Sequence, residues 1–260
     1  MAFFMIAKVH GATVLGVEGF LIDVEVDISR GLPGFEIVGL PDVAVRESRQ
    51  RVRAAMKNSG FGFPLQRLTV NLAPANLRKS GPAFDLAIAL GILAASGTLE
   101  PDLLRGVLIL GELSLDGSVR GVAGVLPMLL AAADAGVPRA LVPADNEDEA
   151  ALVDKIEVGI VRCLVDAAAM LEGRRKFVTP RRKDFDLELE ADSDLSEVRG
   201  QFTAKRALEI AAAGRHNLLL MGPPGCGKTL LARCLPGILP PLSFAEALEV
   251  AQIYSVAQGG

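Results

Sequence analysis

Phe20–Ile28 (FLIDVEVDI) alternates apolar and polar side chains, the period of a strand with one buried face. Gly31–Gly34 (GLPG) follows as a turn, and Phe35–Val38 predicts a second short strand. The period then changes. In Pro41–Asn58 the apolar positions Val45, Val52, Ala55 and Met56 share one face of a helix, which Gly60 ends. Leu68–Leu72 (LTVNL) reads as a strand. Phe84–Ala95 is apolar nearly all round, the mark of a buried helix. Val107–Leu113 (VLILGEL) predicts a buried strand, with Val119–Gly121 returning after Asp116-Gly117, a hairpin dipeptide. Leu126–Ala135 predicts a helix stopped by Gly136 and Pro138. Ala140–Val142 is the next strand, and Asn146–Leu152 a short helix.

After residue 172 the pattern breaks. Arg174–Lys183 (RRKFVTPRRK) holds six basic residues in ten, and Asp184–Glu197 holds seven acidic residues and no basic one. Blocks of like charge resist burial, so the reading is a solvated linker at 173–197 between a domain at 1–172 and a second region at 198–260. In that region Ala204–Ala213 predicts a helix capped by Gly214. Asn217–Met221 (NLLLM) predicts a short buried strand, and Thr229–Leu235 a helix ending at Pro236-Gly237.

Composition narrows the classes. Half of the 260 residues are hydrophobic, 22% are charged, and the net charge is −4, which is ordinary globular composition with no global attraction to polyanions. Cys163, Cys226 and Cys234 are odd in number and widely spaced, and His10 and His216 stand alone, so neither a disulfide framework nor a zinc site is indicated. The apolar start is interrupted by Lys8, His10 and Glu18 and lacks the basic lead of a signal peptide. The longest apolar runs, Leu86–Leu99 and Gly121–Ala133, are too short to span a bilayer. A cytoplasmic protein that does not enter membranes is expected.

One motif carries chemistry. Gly222-Pro223-Pro224-Gly225-Cys226-Gly227-Lys228-Thr229 matches G-x-x-x-x-G-K-[ST], set between a predicted strand and a predicted helix. Glycines let backbone N–H groups close around phosphates, and the helix that follows presents further N–H donors. Lys228 is placed to reach the β- and γ-phosphates of ATP, and the Thr229 hydroxyl to hold Mg²⁺. Cys226 lies within the loop as a filling side chain. The expected cofactors are therefore ATP and Mg²⁺.

The stretches Arg30–Phe61, Leu68–Gly97 and Val198–Arg233 together resemble the YifB/ComM family of magnesium-chelatase-like AAA+ ATPases, along essentially the whole chain. The resemblance implies an α/β chain. Its N-terminal α+β domain would be similar to the Lon protease domain and to ribosomal protein S5 domain 2. The start of a P-loop AAA+ α/β domain would follow. It also implies that the N-terminal domain is proteolytically inactive. Ala83 stands where Lon has its nucleophilic serine and Leu126 where it has its lysine, and neither can act as nucleophile or base. Val198, Arg199, Gly200 and Gln201 would lie beside the adenine.

The family further implies a homo-oligomeric ring, a hexamer, acting on single-stranded or branched DNA during natural transformation. Asn76, Arg78, Lys79 and Ser80 form a polar stretch open to two readings, a DNA contact or a solvated loop, and the run Arg174–Lys183 is open to the same two. No apolar strand ending in Asp-Glu follows Thr229, and Glu246 and Glu249 fall at helical spacing. The expectation is thus the N-terminal part of a longer ATPase, truncated before Walker B, with hydrolysis belonging to the full-length parent. Two other readings are a non-enzymatic pseudo-protease scaffold and a motor subunit of a chelatase-type complex.

Overall fold

The computed structural model describes residues 6–178, 180 and 194–257. The chain groups into two compact units, Met1–Lys183 with Leu248–Gly260, and Asp184–Ala247. Most of the charged stretch read as a linker, 181–193, lies outside the described residues.

The first unit is built on a seven-stranded, mostly parallel sheet. Its strands are β1 (Ala7–Leu15), β2 (Glu18–Ser29), β3 (Gly34–Val38), β4 (Arg67–Ala73), β5 (Val107–Ile109), β8 (Arg139–Pro143) and β9 (Glu157–Val161), in the order β3-β4-β2-β1-β5-β8-β9. A separate antiparallel pair joins β6 (Glu112–Leu113) to β7 (Val119–Arg120). β2 runs antiparallel to both β1 and β4, and the remaining neighbours are parallel. The two halves bury differently. β2 alternates, with Ile22, Val24, Val26 and Ile28 inward and Asp23, Glu25 and Asp27 on the more open face. β5 and β8 are buried on both faces, the condition of parallel strands covered by helices.

One face carries α1 (Val43–Asn58), α2 (Asp85–Ala95) and α5 (Leu164–Leu171), packed on a cluster that includes Val24, Val52, Phe84, Leu90 and Ile109. The other carries α3 (Val125–Asp134) and α4 (Glu147–Ala150), packed on Ala12, Leu108, Leu110 and Val142. α1 starts where Asp42 accepts the N–H of Val45 at 2.8 Å, an N-cap that satisfies one orphan donor of the first turn. The same carboxylate accepts the Gly81 N–H at 3.1 Å and ties the helix to the loop before α2.

Asp85 is the polar hub of this face. It is fully buried and is held by Arg51 Nε at 2.6 Å, Arg51 Nη2 at 3.1 Å, the Leu113 N–H at 3.2 Å and the Ser48 hydroxyl. Burial pushes its carboxyl above the ordinary value, against the opposing pull of Arg51, Ser48 and Leu113.

Most predicted elements are found within a residue or two of their expected bounds. The continuous strand expected at Val107–Leu113 is broken. The chain leaves the sheet at Leu110, the Gly111 N–H goes to Ala83 O at 3.0 Å, and β6 turns away to pair with β7. β1, β9 and α5 were not expected. The second unit holds α6 (Phe202–Gly214) and α7 (Lys228–Cys234), with α8 (Phe244–Ala257) at the end of the described chain. Two expectations for this part are corrected. Gly214 is the last helical residue of α6, and the left-handed cap falls on Arg215 at φ 53°. Asn217–Met221 has no ladder partner among the described residues, and its side chains Leu219 (80% exposed) and Met221 (83%) are not buried. A strand exists only through its neighbour's hydrogen bonds, which apolar residues alone do not supply.

Candidate nucleotide-binding site

The site forms on a small apolar cluster. Leu208 of α6 packs with Leu231 and Cys234 of α7 and with Val198, and Leu195, Ala204 and Leu220 close around them. This packing fixes the ends of the loop Gly222–Gly227 between residue 220 and the first turn of α7. Burial pushes the Cys234 thiol above its ordinary value, and its Sγ lies 3.2 Å from Leu230 O, as befits a packing thiol.

The loop itself is exposed, with Cys226, Gly227 and Lys228 half-buried. Gly225 (φ 81°) and Gly227 (φ 86°) are left-handed, a conformation that strains any residue with a Cβ. At that bend Lys228 folds back over the loop. Its Nζ donates to Gly222 O at 2.8 Å and Pro223 O at 2.7 Å, and lies 3.5 Å from Cys226 Sγ. The ammonium is therefore centred on the loop, with only backbone oxygens and a thiol around it. That arrangement receives an anion, because no carboxylate neutralises the charge and the carbonyl contacts exchange readily for phosphate oxygens. Thr229 is exposed at the start of α7.

The residues expected beside the adenine separate. Gln201, held at φ 55°, reaches the loop and donates from Nε2 to Cys226 O at 3.2 Å. Arg199 and Gly200 are exposed near it in sequence. Val198 is 5% exposed and sits in the apolar cluster, where it supports the site from beneath.

Other candidates in the first unit are placed as follows. Ala83 and Leu126 both belong to the apolar cluster under α3, with 7% and 0% exposure. A cavity of about 490 Å³ lies beside them, lined in part by Thr13, Ser80, Gly81 and Glu112. Asn76, Arg78 and Ser80 are exposed, but Lys79 is 0% exposed and donates to Pro74 O, so it is withdrawn from any surface contact. The sequence signal failed here because a lysine in a polar stretch reads as solvated. Arg174 pairs with Glu172, and Arg175 with Asp166 at 2.5 Å, so the two leading cations of the basic run are neutralised locally.

Burial lowers the Lys79 pKa below 10.5. Between the lowered value and 10.5 the unfolded chain holds a proton that the folded chain has released, so stability rises with pH across that window. Lys79→Met is expected to flatten this rise, read as the unfolding free energy in urea from neutral pH to just below 10.5.

Among the described residues no helix is long and apolar enough to cross a membrane. Residues 24–146 match a family model described as subunit ChlI of Mg-chelatase, and residues 194–260 match one described as magnesium chelatase, subunit ChlI. An uncharacterized protein named YifB from Salmonella typhimurium is 47% identical over 251 residues, covering 96% of this chain and 49% of that protein. The competence protein ComM of Haemophilus influenzae is 44% identical over 257 residues, covering 97% of this chain and 50% of that protein. Lon protease 2 of Bacillus subtilis is 25% identical over 206 residues, covering 71% of this chain and 36% of that protein. The chain spans about half the length of the YifB and ComM relatives it matches.

Proposed function

Because this chain belongs to the YifB/ComM family of magnesium-chelatase-like proteins, we propose that it is the nucleotide-binding part of an ATP-driven motor that remodels DNA. The observation that carries the reading is the loop Gly222–Thr229, with an unneutralised ammonium, Lys228, folded over its own carbonyls. In this reading the backbone N–H groups of Gly225–Thr229 and the Lys228 ammonium hold the phosphates of ATP, and the Thr229 hydroxyl holds Mg²⁺. Bound Mg²⁺ supplies charge neutralisation on the phosphate oxygens. The protein's own contribution is to hold the loop open on a packed base and to present Lys228 from the first turn of α7. Gln201 steadies the loop through Cys226, and Arg199 and Gly200 flank the base.

The region 198–260 is then the start of an AAA+ module, and 1–172 is a domain of the Lon and ribosomal S5 domain 2 type without proteolytic chemistry. Apolar Ala83 and Leu126 support that assignment, since neither side chain can exchange a proton. DNA as the track follows from the family and from the relative named for competence, and a hexameric ring from the family.

ATP turnover by the longest natural form of the protein tests the proposal, measured with and without single-stranded and forked DNA, with Lys228→Ala as control. A rate that DNA raises and Lys228→Ala removes is the expected result. A Lys228-dependent rate indifferent to DNA would redirect the motor to a protein partner. No turnover at all would overturn the motor reading.

A further inference from the structure

Helix α1 carries its positive charge in a line. Arg46, Arg49, Arg53 and Lys57 follow one another at intervals of three and four residues, which places them along one stripe of the helix. All four are exposed, while Val45, Val52, Ala55 and Met56 bury the opposite face. The stripe runs about 17 Å, from a rise of ~1.5 Å per residue. Among the described residues none of the four pairs with a carboxylate. Arg46 donates to Asp42 O at 3.3 Å, and Arg49 donates to Arg46 O at 3.0 Å and Phe35 O at 3.3 Å. Glu47 leans to Arg51 at 3.9 Å, off the stripe, and Glu36 faces Arg67 at 3.5 Å. In a chain of net charge −4 this is a local field of the opposite sign.

Aromatic rings stand beside the charges. The Arg53 guanidinium lies 5.6 Å from the ring centre of Phe63, and Phe63 lies 5.9 Å from Phe35. A groove of about 280 Å³ runs between them, lined by Phe35, Arg49, Gln50, Arg53, Phe63 and Gln66. That volume is below the roughly 300–1,000 Å³ of a small-molecule pocket, and the lining mixes cations, amides and rings instead of a continuous apolar wall. Cations in a row beside flat π-faces are the chemistry of a single nucleic-acid strand, with phosphates on the arginines and bases stacked on rings.

We infer that the groove between α1, the start of β3 and residues 63–66 binds single-stranded DNA, with Arg46, Arg49, Arg53 and Lys57 on successive phosphates and Phe63 as a stacking platform. The surface stands on its own geometry, and the choice of DNA over RNA rests on the function proposed above. Sequence reading pointed to Asn76–Ser80 and Arg174–Lys183 instead, because α1 reads first as an amphipathic helix whose charges are simply its solvated side.

Fluorescence anisotropy of a labelled thymidine oligonucleotide of ~20 residues, a length several times the shortest single-strand sites, tests this with the 260-residue chain. The charge reversal Arg49→Glu/Arg53→Glu is expected to weaken binding at least tenfold and to lower the slope of log affinity against log salt by about 2. Arg49→Gln/Arg53→Gln, which keeps the helix and its solubility, loses affinity in the same direction. Phe63→Ala weakens the single strand and leaves duplex binding unchanged. The control Arg105→Glu/Lys155→Glu makes the same change in net charge at exposed positions and should bind as wild type. Equal weakening by both double reversals would reduce the effect to net charge and overturn the site. Binding by wild type that neither α1 pair affects would overturn this surface while sparing the DNA reading. Tighter binding of an RNA oligonucleotide would overturn the choice of DNA, and no binding by wild type would overturn the inference outright.

Discussion

Asp85→Ala is expected to lower the unfolding free energy by about 3–5 kcal/mol, the range for removing one partner of a buried ion pair. The carboxylate is the only acceptor described for the Ser48 hydroxyl and for the Leu113 N–H, and the main partner of Arg51. Truncation leaves two donors and a guanidinium without it, in a site where Ser48 is 0% exposed. The damage spreads because the hub joins three elements: α1 through Ser48 and Arg51, α2 through Asp85, and β6 through Leu113. Asp85→Asn keeps the shape and part of the hydrogen bonding but strands Arg51, so a smaller loss is expected. Denaturant titration measures both. A loss under 1 kcal/mol for Asp85→Ala would mean that Arg51 finds solvent and that the hub contributes little.

Lys228→Ala is expected to weaken ATP and ADP binding by about 10- to 100-fold. Hydrogen bonds to charged groups contribute roughly 1.5–3 kcal/mol, and each 1.4 kcal/mol is tenfold. The fold should be untouched, since Lys228 touches only the loop's own backbone and Cys226 Sγ. Lys228→Arg should not restore binding. A planar fork is wider than an ammonium and matches poorly a curved loop of carbonyls and N–H groups. Titration with a fluorescent nucleotide, beside a thermal melt of each variant, separates affinity from folding. Affinity unchanged in Lys228→Ala would remove the lysine from the nucleotide site.

How much of this was legible depended on how local the cause is. β2 could be read because its alternation reports a sheet with one covered face, and α1 because its apolar positions keep a helical period. The phosphate loop could be read residue by residue, since its chemistry lies within eight consecutive positions. Three elements went unread. β1 (AKVHGATVL) interrupts its alternation at Gly11 and Ala12, and β9 and α5 are short segments without strong bounding signals. The Asp85 hub was invisible because Ser48 and Arg51 lie 37 and 34 residues away, and no pattern along the chain announces a pairing at that distance.

Sequence by itself determined the mixed α/β class, the helical and extended periods, the phosphate loop with Lys228 and Thr229, and the apolar residues at the protease positions. All of these are properties of side-chain type at fixed local spacing. Tertiary structure alone decided which charges are available. It buried Lys79 behind Pro74, joined Arg51 to Asp85 beneath α1, and left Arg46, Arg49, Arg53 and Lys57 in line beside Phe63. It also decided that Asn217–Met221 is extended without being a strand, and that Val198 supports the loop from below while Gln201 touches it. The reason is the same each time. A side chain's charge and apolar area are written in the sequence, but burial and partners depend on what the rest of the chain brings against them.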